Sequence, residues 1–256
     1  MIEDLLPSPA EVAESFGDAP VESLFPAEAE IVARAVPVRR REYATVRVCA
    51  REALGRLGIP PAPLLPGASG EPLWPAGIVG SMTHCRGYRA AAVARSTDVT
   101  TIGLDAEPNQ PLPSTGVLDH VARPEEQRLL ARLAEDRPDV CWDRLLFSAK
   151  ESIYKAWFPL AGRWLDFLEA TVVIDPDEGT FSSRLLVPGP LVDGVRVHGF
   201  RGGWLVRNGL VLTAITLTRA DSGAGADAAT ARTVAAPATP PHTGPGPLEH
   251  PAGAAP

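Results

Sequence analysis

The stretch Thr101-Ile102-Gly103-Leu104-Asp105-Ala106-Glu107 constrains this chain more than any other, because it reads as a buried strand that ends in two carboxylates. Successive side chains on a strand point to opposite faces. Ile102 and Leu104 therefore share one face, and Gly103, Asp105 and Glu107 share the other. Two carboxylates side by side repel, and a hard divalent cation with a preference for oxygen ligands, such as Mg²⁺, would relieve that repulsion. The plainer alternative is a pair of exposed acids at a strand end, since acids in such positions mark function only probabilistically.

The chain around this strand has 256 residues, 45% of them hydrophobic, enough for one large domain or two small ones. A net charge of −7 argues against nonspecific binding to nucleic acid or to acidic lipid. Cys49, Cys85 and Cys141 lie far apart, with no zinc spacing, as in a protein of a reducing compartment. The N-terminus carries early acids and no long apolar run, so neither a secretory signal nor a membrane span is expected, and the expectation is a cytoplasmic protein.

In chain order, Pro9 to Phe16 and Pro26 to Val36 read as short helices with proline in the first turn. Arg39-Arg40-Arg41 follows, a local anion site or simply a solvated helix start. Residues 42–57 form an amphipathic helix stopped by Gly58, with Arg47 and Arg51 on one face. After a Pro- and Gly-rich loop, the runs 77–85, 89–94 and 100–107 are strands whose short turns favour a three-stranded meander. Residues 108–122 read as loop, and Pro124 to Ala134 as helix. A stronger helix spans Val140 to Phe158, ended by Pro159. Five strands follow, at 171–174, 180–187, 195–199, 203–207 and 210–217, with hairpin signals at Gly202-Gly203 and Asn208-Gly209. Helices then strands occur twice, which suggests an α+β protein of two similar lobes, residues 1–108 and 109–219. Residues 220–256 collapse into Ala, Gly, Pro, Thr and Asp and read as a disordered tail.

A third acid is available on the 140–158 helix. Glu151 would complete a site of three oxygen donors with Asp105 and Glu107, although Glu151 and Lys155, four apart, are equally an ordinary surface ion pair. His84 ends a strand after Ser81 and Thr83. With Arg39, Arg47, Lys150 and Lys155 it would form a phosphate-binding ring; alone it would be a turn histidine. There is no P-loop, GxGxxG, GxSxG or HExxH pattern.

Three motifs, in this order, resemble those of the 4′-phosphopantetheinyl transferase superfamily, of the larger surfactin- and enterobactin-synthetase type. They are Gly80-Ser81-Met82-Thr83-His84-Cys85, Gly103-Leu104-Asp105-Ala106-Glu107, and Phe147-Ser148-Ala149-Lys150-Glu151-Ser152-Ile153-Tyr154-Lys155. The stretch from Arg41-Glu42-Tyr43 to Cys49-Ala50-Arg51, and Gly70-Glu71-Pro72, also fit an actinobacterial-like subgroup. Each motif alone is weak; the ordered set, spanning roughly residues 20–218, is specific. The resemblance implies two α/β lobes related by a pseudo-two-fold axis. It implies transfer of the phosphopantetheine arm of coenzyme A to a serine of an apo acyl, polyketide or peptidyl carrier protein, with adenosine 3′,5′-bisphosphate leaving. By the same resemblance Asp105, Glu107 and Glu151 bind Mg²⁺, with Mn²⁺ as a substitute. Glu151 acts as base, directly or through a metal-bound water, and Lys155 acts at the leaving phosphate as acid or electrostatic stabiliser. Arg39, Arg47, Ser81, Thr83, His84 and Lys150 hold the nucleotide phosphates. One departure is the loop Pro66-Gly67-Ala68-Ser69, which lacks the lysine that such members often carry and leaves the 3′-phosphate to a weaker grip or to the arginines. A monomer is expected, because the two lobes build the cleft alone. A Mg²⁺-dependent phosphohydrolase acting on coenzyme A or a nucleotide, and a non-catalytic coenzyme A-binding protein, are the competing readings.

Overall fold

The structure, a computed structural model, describes residues 1–219, and the expected tail at 220–256 lies outside them. The fold is a mixed α+β arrangement with antiparallel sheets. Three strands, β1 (Glu11–Ser15), β2 (Ile78–Cys85) and β3 (Tyr88–Arg95), form a sheet in the order β1-β3-β2. Five more form the second sheet, in the order β4 (Val99–Pro108), β10 (Leu210–Thr218), β9 (Arg201–Arg207), β6 (Thr180–Leu185) and β5 (Ala170–Asp175). A small ribbon pairs β7 (Leu191–Val192) with β8 (Val195–Arg196).

Each sheet carries one 20-residue helix. On the first lies α2 (Pro37–Arg56), whose Cys49, Ala50, Ala53 and Leu54 pack on Ala13, Ala91 and Val93. On the second lies α5 (Trp142–Ala161), with Leu145, Leu146, Ile153 and Trp157 buried against β5, β6, β9 and β10. The sheet faces away from these helices share a third cluster, in which Ala90, Ala92 and Ala94 meet Ile102, Leu104, Leu212 and Ala214. The short helices α1 (Pro26–Ile31), α3 (Thr115–Val121) and α4 (Pro124–Asp136) fill the periphery.

Several expectations are corrected. The predicted helix at 9–16 is the strand β1: Val12 and Ala13 are buried, and the segment pairs with β3 over Glu11↔Val93 to Ser15↔Arg89. The three-stranded meander does not form. β2 and β3 make a hairpin, but β4 turns away and pairs with β10, placing Asp105 opposite Thr213. The 108–122 loop contains the helix α3. Gly202-Gly203 is not a turn but the interior of β9, where a Cβ on Gly202 would meet the Phe181 ring. Of the expected 195–199 strand, residues 195–196 form β8, and beyond it Val197 N–H still donates to the Pro190 carbonyl and the His198 carbonyl accepts from the Leu185 N–H. The helix α5 runs two residues past Pro159 and ends at Gly162, whose φ is 63°. Asn208 and Gly209, at φ 54° and 73°, do form the tight β9–β10 turn.

The strand β4 is buried on both faces from Thr101 to Ala106, as a buried strand should be. Ile102, Leu104 and Ala106 enter the shared core, while Thr101, Gly103 and Asp105 face α5. Gly103 makes this approach possible: a Cβ there would lie 2.0 Å from the Ser152 carbonyl oxygen. The contact is sealed by Thr101 Oγ1 donating to the Ala156 carbonyl at 2.9 Å and by Ser152 and Ser148 hydrogen bonding to Thr213.

Along its other edge β4 runs beside β2 without a backbone ladder. The Ser81 hydroxyl accepts from the Leu104 N–H and the Thr83 hydroxyl from the Ala106 N–H, each at 3.0 Å. The two-residue step on both strands shows that they run in the same direction. Two side chains thus satisfy the edge N–H groups that a ladder would otherwise take.

Candidate active site

The acids predicted from strand parity stand on the α5-facing side of β4. Asp105 is 5% exposed, and its Oδ1 accepts from Lys155 Nζ at 2.7 Å and from the Thr83 hydroxyl at 3.4 Å. Its Oδ2 is buried without a hydrogen-bond partner. Leaving a buried carboxylate oxygen bare is costly, and such an atom calls for a ligand. Lys155 also donates to the Leu104 carbonyl at 2.9 Å, so the ammonium clamps α5 to β4 at the aspartate.

Glu107, two residues on, accepts from Arg144 Nη1 at 3.0 Å. Burial, and then the neighbouring Asp105 charge, push its carboxyl up to about 7, against the pull of Arg144 and Lys155. Glu151 lies one helical turn before Lys155. Burial raises its pKa too, while Lys155 opposes the rise and Asp105 adds to it. The alternative of a Glu151–Lys155 surface pair is not what forms: Lys155 bonds to Asp105 instead.

His84 closes this face from β2. Its Nε2 hydrogen bonds with Arg39 and its Nδ1 lies 3.6 Å from Glu42. Burial first, and then the charge of Arg39, lower its pKa, with Lys155 acting in the same sense. The polar stripe Arg144, Ser148, Glu151, Lys155 on α5 repeats at helical spacing and is the face turned to β4 and β10.

The structure brings together Asp105, Glu107, Glu151 and Lys155, with His84 and Arg39 beside them. It does not bring Lys150 or Arg47. The Lys150 ammonium is 3% exposed and donates to Glu126 and the Val121 carbonyl at 2.7 Å, Phe167 at 2.9 Å and Ala170 at 3.2 Å. Adjacent helical residues point about 100° apart, so Lys150 and Glu151 cannot both face the site. Arg47 is equally buried: it stacks on the Tyr43 ring and donates to the Leu64 carbonyl at 3.2 Å. Burial lowers its pKa to about 10. Ser81 and Thr83 line the site, and their hydroxyl oxygens accept from the N–H groups of β4 while each O–H remains a donor, that of Thr83 toward Asp105. Arg144 and Glu42 are the partners that the sequence reading missed. The i, i+4, i+7, i+11 spacing of 144, 148, 151 and 155 was the available signal for Arg144.

Carboxylates without histidine or cysteine beside them are the kind of oxygen donor a hard cation takes, and the bare Asp105 Oδ2 fits that chemistry. Asp105 is held in position by Lys155 and Glu107 by Arg144. Among the described residues no three His, Cys, Asp or Glu side chains stand close enough to enclose a metal ion.

Two family models match the chain: that of the 4′-phosphopantetheinyl transferase N-terminal domain over residues 27–94, and that of the 4′-phosphopantetheinyl transferase superfamily over residues 101–198. The chain is 62% identical over 220 residues to the 4′-phosphopantetheinyl transferase Svp of Streptomyces mobaraensis, covering 85% of this chain and 89% of the relative. It is 49% identical over 209 residues to PptT of Mycobacterium tuberculosis (strain ATCC 25618 / H37Rv), covering 80% and 91%. It is also 32% identical over 120 residues to enterobactin synthase component D of Salmonella typhi, covering 46% of this chain and 48% of that one. With long matches at this identity to two proteins of one activity, and both models placed in sequence order, the chain belongs to the 4′-phosphopantetheinyl transferase superfamily.

Proposed function

We propose that Asp105, Glu107 and Glu151 hold a Mg²⁺ ion, that Glu151 and Lys155 are the catalytic pair, and that Arg39 and His84 take phosphates of coenzyme A. The overall activity follows from the family: the protein is a transferase that moves the 4′-phosphopantetheine arm of coenzyme A onto a carrier protein. The observation that carries the residue assignment is the meeting of Asp105 with Lys155, one helical turn from Glu151, around a buried carboxylate oxygen that lacks a partner.

Transfer requires a serine hydroxyl of the carrier to attack the phosphorus that bears the pantetheine. The bond from that phosphorus to the bridging oxygen breaks, and adenosine 3′,5′-bisphosphate leaves. Glu151, made more basic by burial, accepts the serine proton. The Lys155 ammonium faces the charge that develops on the leaving phosphate. Arg39 and His84, already in contact, hold the nucleotide end so that the attack is in line. A divalent cation on the three acids would supply charge neutralisation across the pyrophosphate.

The reading of two similar lobes is supported by the two 20-residue helices, each laid on an antiparallel sheet, with the second sheet taking its edge strand β4 from residues 99–108 of the first half. Since one chain carries both the acids and the cations, we assign the activity to a monomer; a cytoplasmic location fits the three unpaired cysteines. Among the described residues no helix is long and apolar enough to cross a membrane. The test of the residue assignment is incubation with coenzyme A, Mg²⁺ and an apo carrier, followed by weighing the carrier. Asp105→Asn, Glu107→Gln and Glu151→Gln should each lose the gain of one phosphopantetheine, while wild type shows it. Full transfer by any of the three overturns the assignment of that acid. Release of nucleotide without carrier modification would favour the phosphohydrolase.

A further inference from the structure

Glu107 reaches the end of β4 with a carboxylate that needs holding, since the side chain is long and its neighbour Asp105 repels it. Among the described residues its ion-pair partner is Arg144, and each of the three guanidinium nitrogens is engaged. Nη1 donates to Glu107 Oε2 at 3.0 Å, Nε to the Gln110 carbonyl at 3.0 Å, and Nη2 to the Pro111 carbonyl at 3.1 Å. Arg144 is 16% exposed at the side chain and Glu107 21%, so the pair is sheltered from water.

The neighbouring residues work in the same direction. The Asp143 carboxylate accepts from the Leu112 N–H at 2.8 Å. Asn109 accepts from the Cys141 N–H and donates to the Asp139 carbonyl, both at 2.8 Å. The segment that leaves β4 is thereby stitched to the start of α5, and the guanidinium is the one group in the stitch that also touches an acid of the site.

We infer that Arg144 is a positioning residue for metal binding: it fixes Glu107 through one carboxylate oxygen and leaves the other to the ion, while its two carbonyl contacts keep the guanidinium from turning away. The inference rests on the reading of Asp105, Glu107 and Glu151 as metal ligands. A planar guanidinium with donors in a rigid fork can serve three fixed acceptors at once, which a lysine cannot. Carboxylates that bind metals are themselves hydrogen bonded, and loss of such a partner typically weakens the metal by about 10–100-fold. The alternative is that Arg144 competes with the metal for Glu107, and the two ideas predict opposite signs.

The test is Mn²⁺ binding to the full chain, read by electron paramagnetic resonance of the free ion with coenzyme A present, for wild type, Arg144→Gln, Arg144→Lys and Asp105→Asn. Arg144→Gln should weaken Mn²⁺ about 10–100-fold with its melting temperature still close to that of wild type. Its transfer rate should recover at high Mg²⁺, with KM for coenzyme A at saturating metal unchanged. Arg144→Lys should recover part of the Mn²⁺ affinity, because an ammonium can still meet Glu107. Amide exchange at Gln110 and Leu112 should be faster than in wild type in that variant, because the carbonyl contacts are lost. Mn²⁺ affinity in Arg144→Gln equal to or tighter than that of wild type overturns the inference. If Asp105→Asn retains Mn²⁺ while Arg144→Gln does too, the metal reading itself falls; if Asp105→Asn loses it and Arg144→Gln does not, only the role of Arg144 falls.

Discussion

Replacing Lys150 by methionine removes a buried ammonium while keeping most of its volume. The ammonium has four oxygen acceptors within 3.2 Å, and its ionic partner Glu126 is 2% exposed. Glu126 would keep two N–H donors, from Arg123 and Val172, both at 2.7 Å, but no cation. Stranding one member of a buried pair costs about 3–5 kcal/mol. Against a typical total of about 5–15 kcal/mol, the variant stays folded but with a much thinner margin. For a chain of this size that loss corresponds to about 6–20 °C in Tm. Thermal unfolding followed by circular dichroism measures it. Adding Glu126→Gln removes the uncompensated charge, so the double variant should recover part of the loss. Because Lys150 faces away from the acids, KM for coenzyme A should stay within about twofold in the folded protein, a change worth well under 1 kcal/mol. An unchanged Tm together with a tenfold rise in KM would refute the reasoning and return Lys150 to the phosphates.

Four further outcomes are expected. Gly103→Ala drives a methyl into the Ser152 carbonyl and should cost about 1–3 kcal/mol or more, with transfer falling as α5 is pushed off β4, seen by urea unfolding and carrier mass. Thr83→Val should destabilise by about 1–3 kcal/mol by orphaning the Ala106 N–H, with KM for coenzyme A unchanged; a raised KM with intact stability would place the hydroxyl on the ligand instead. Glu28→Ala strands Arg51 and removes the acceptor of the Leu64 and Phe25 N–H groups, so a loss of about 3–5 kcal/mol is expected in the same unfolding assay. Cys49 and Cys85 are buried, with pKa values raised by burial to about 11 and 12, so a neutral thiol reagent should label neither at pH 7 without denaturant; mass spectrometry would show any adduct.

Local signals in the sequence predict local structure well here. The apolar spacing gives the bodies of α2 and α5, and Asn208-Gly209 gives the β9–β10 turn. Parity places Asp105 on the opposite face of β4 from Leu104, and the structure agrees. What parity cannot tell is what covers that face, and the answer is α5 rather than solvent. Strand partners are the main failure. Short turns favour neighbours in sequence, but β4 finds β10, in a position that sets its apolar face into the shared core and its Gly103 face against α5. β1 is hidden for a related reason: prolines on either side mimic a helix start, and only pairing with β3 makes the segment extended. Lys150 and Glu151 show the limit most plainly. A charged pair on a helix does not say which member faces the core, and here Glu126, a residue on a different helix, decides it.

The strand β4 precedes the join between the two halves of the chain, yet all its backbone pairing is with β10 at the far end of the described chain. During synthesis, Asp105 and Glu107 leave the ribosome long before the strand that holds them in place exists. Until then β4 can rest on β2 only through the Ser81 and Thr83 hydroxyls, with its other edge open. The nascent chain is therefore inactive until Leu210–Thr218 has emerged, and it carries an unpaired edge while residues 109–209 are being made. Burying that edge and assembling the acids are the same late event, so a chain truncated before β10 would lack both catalysis and protection from aggregation.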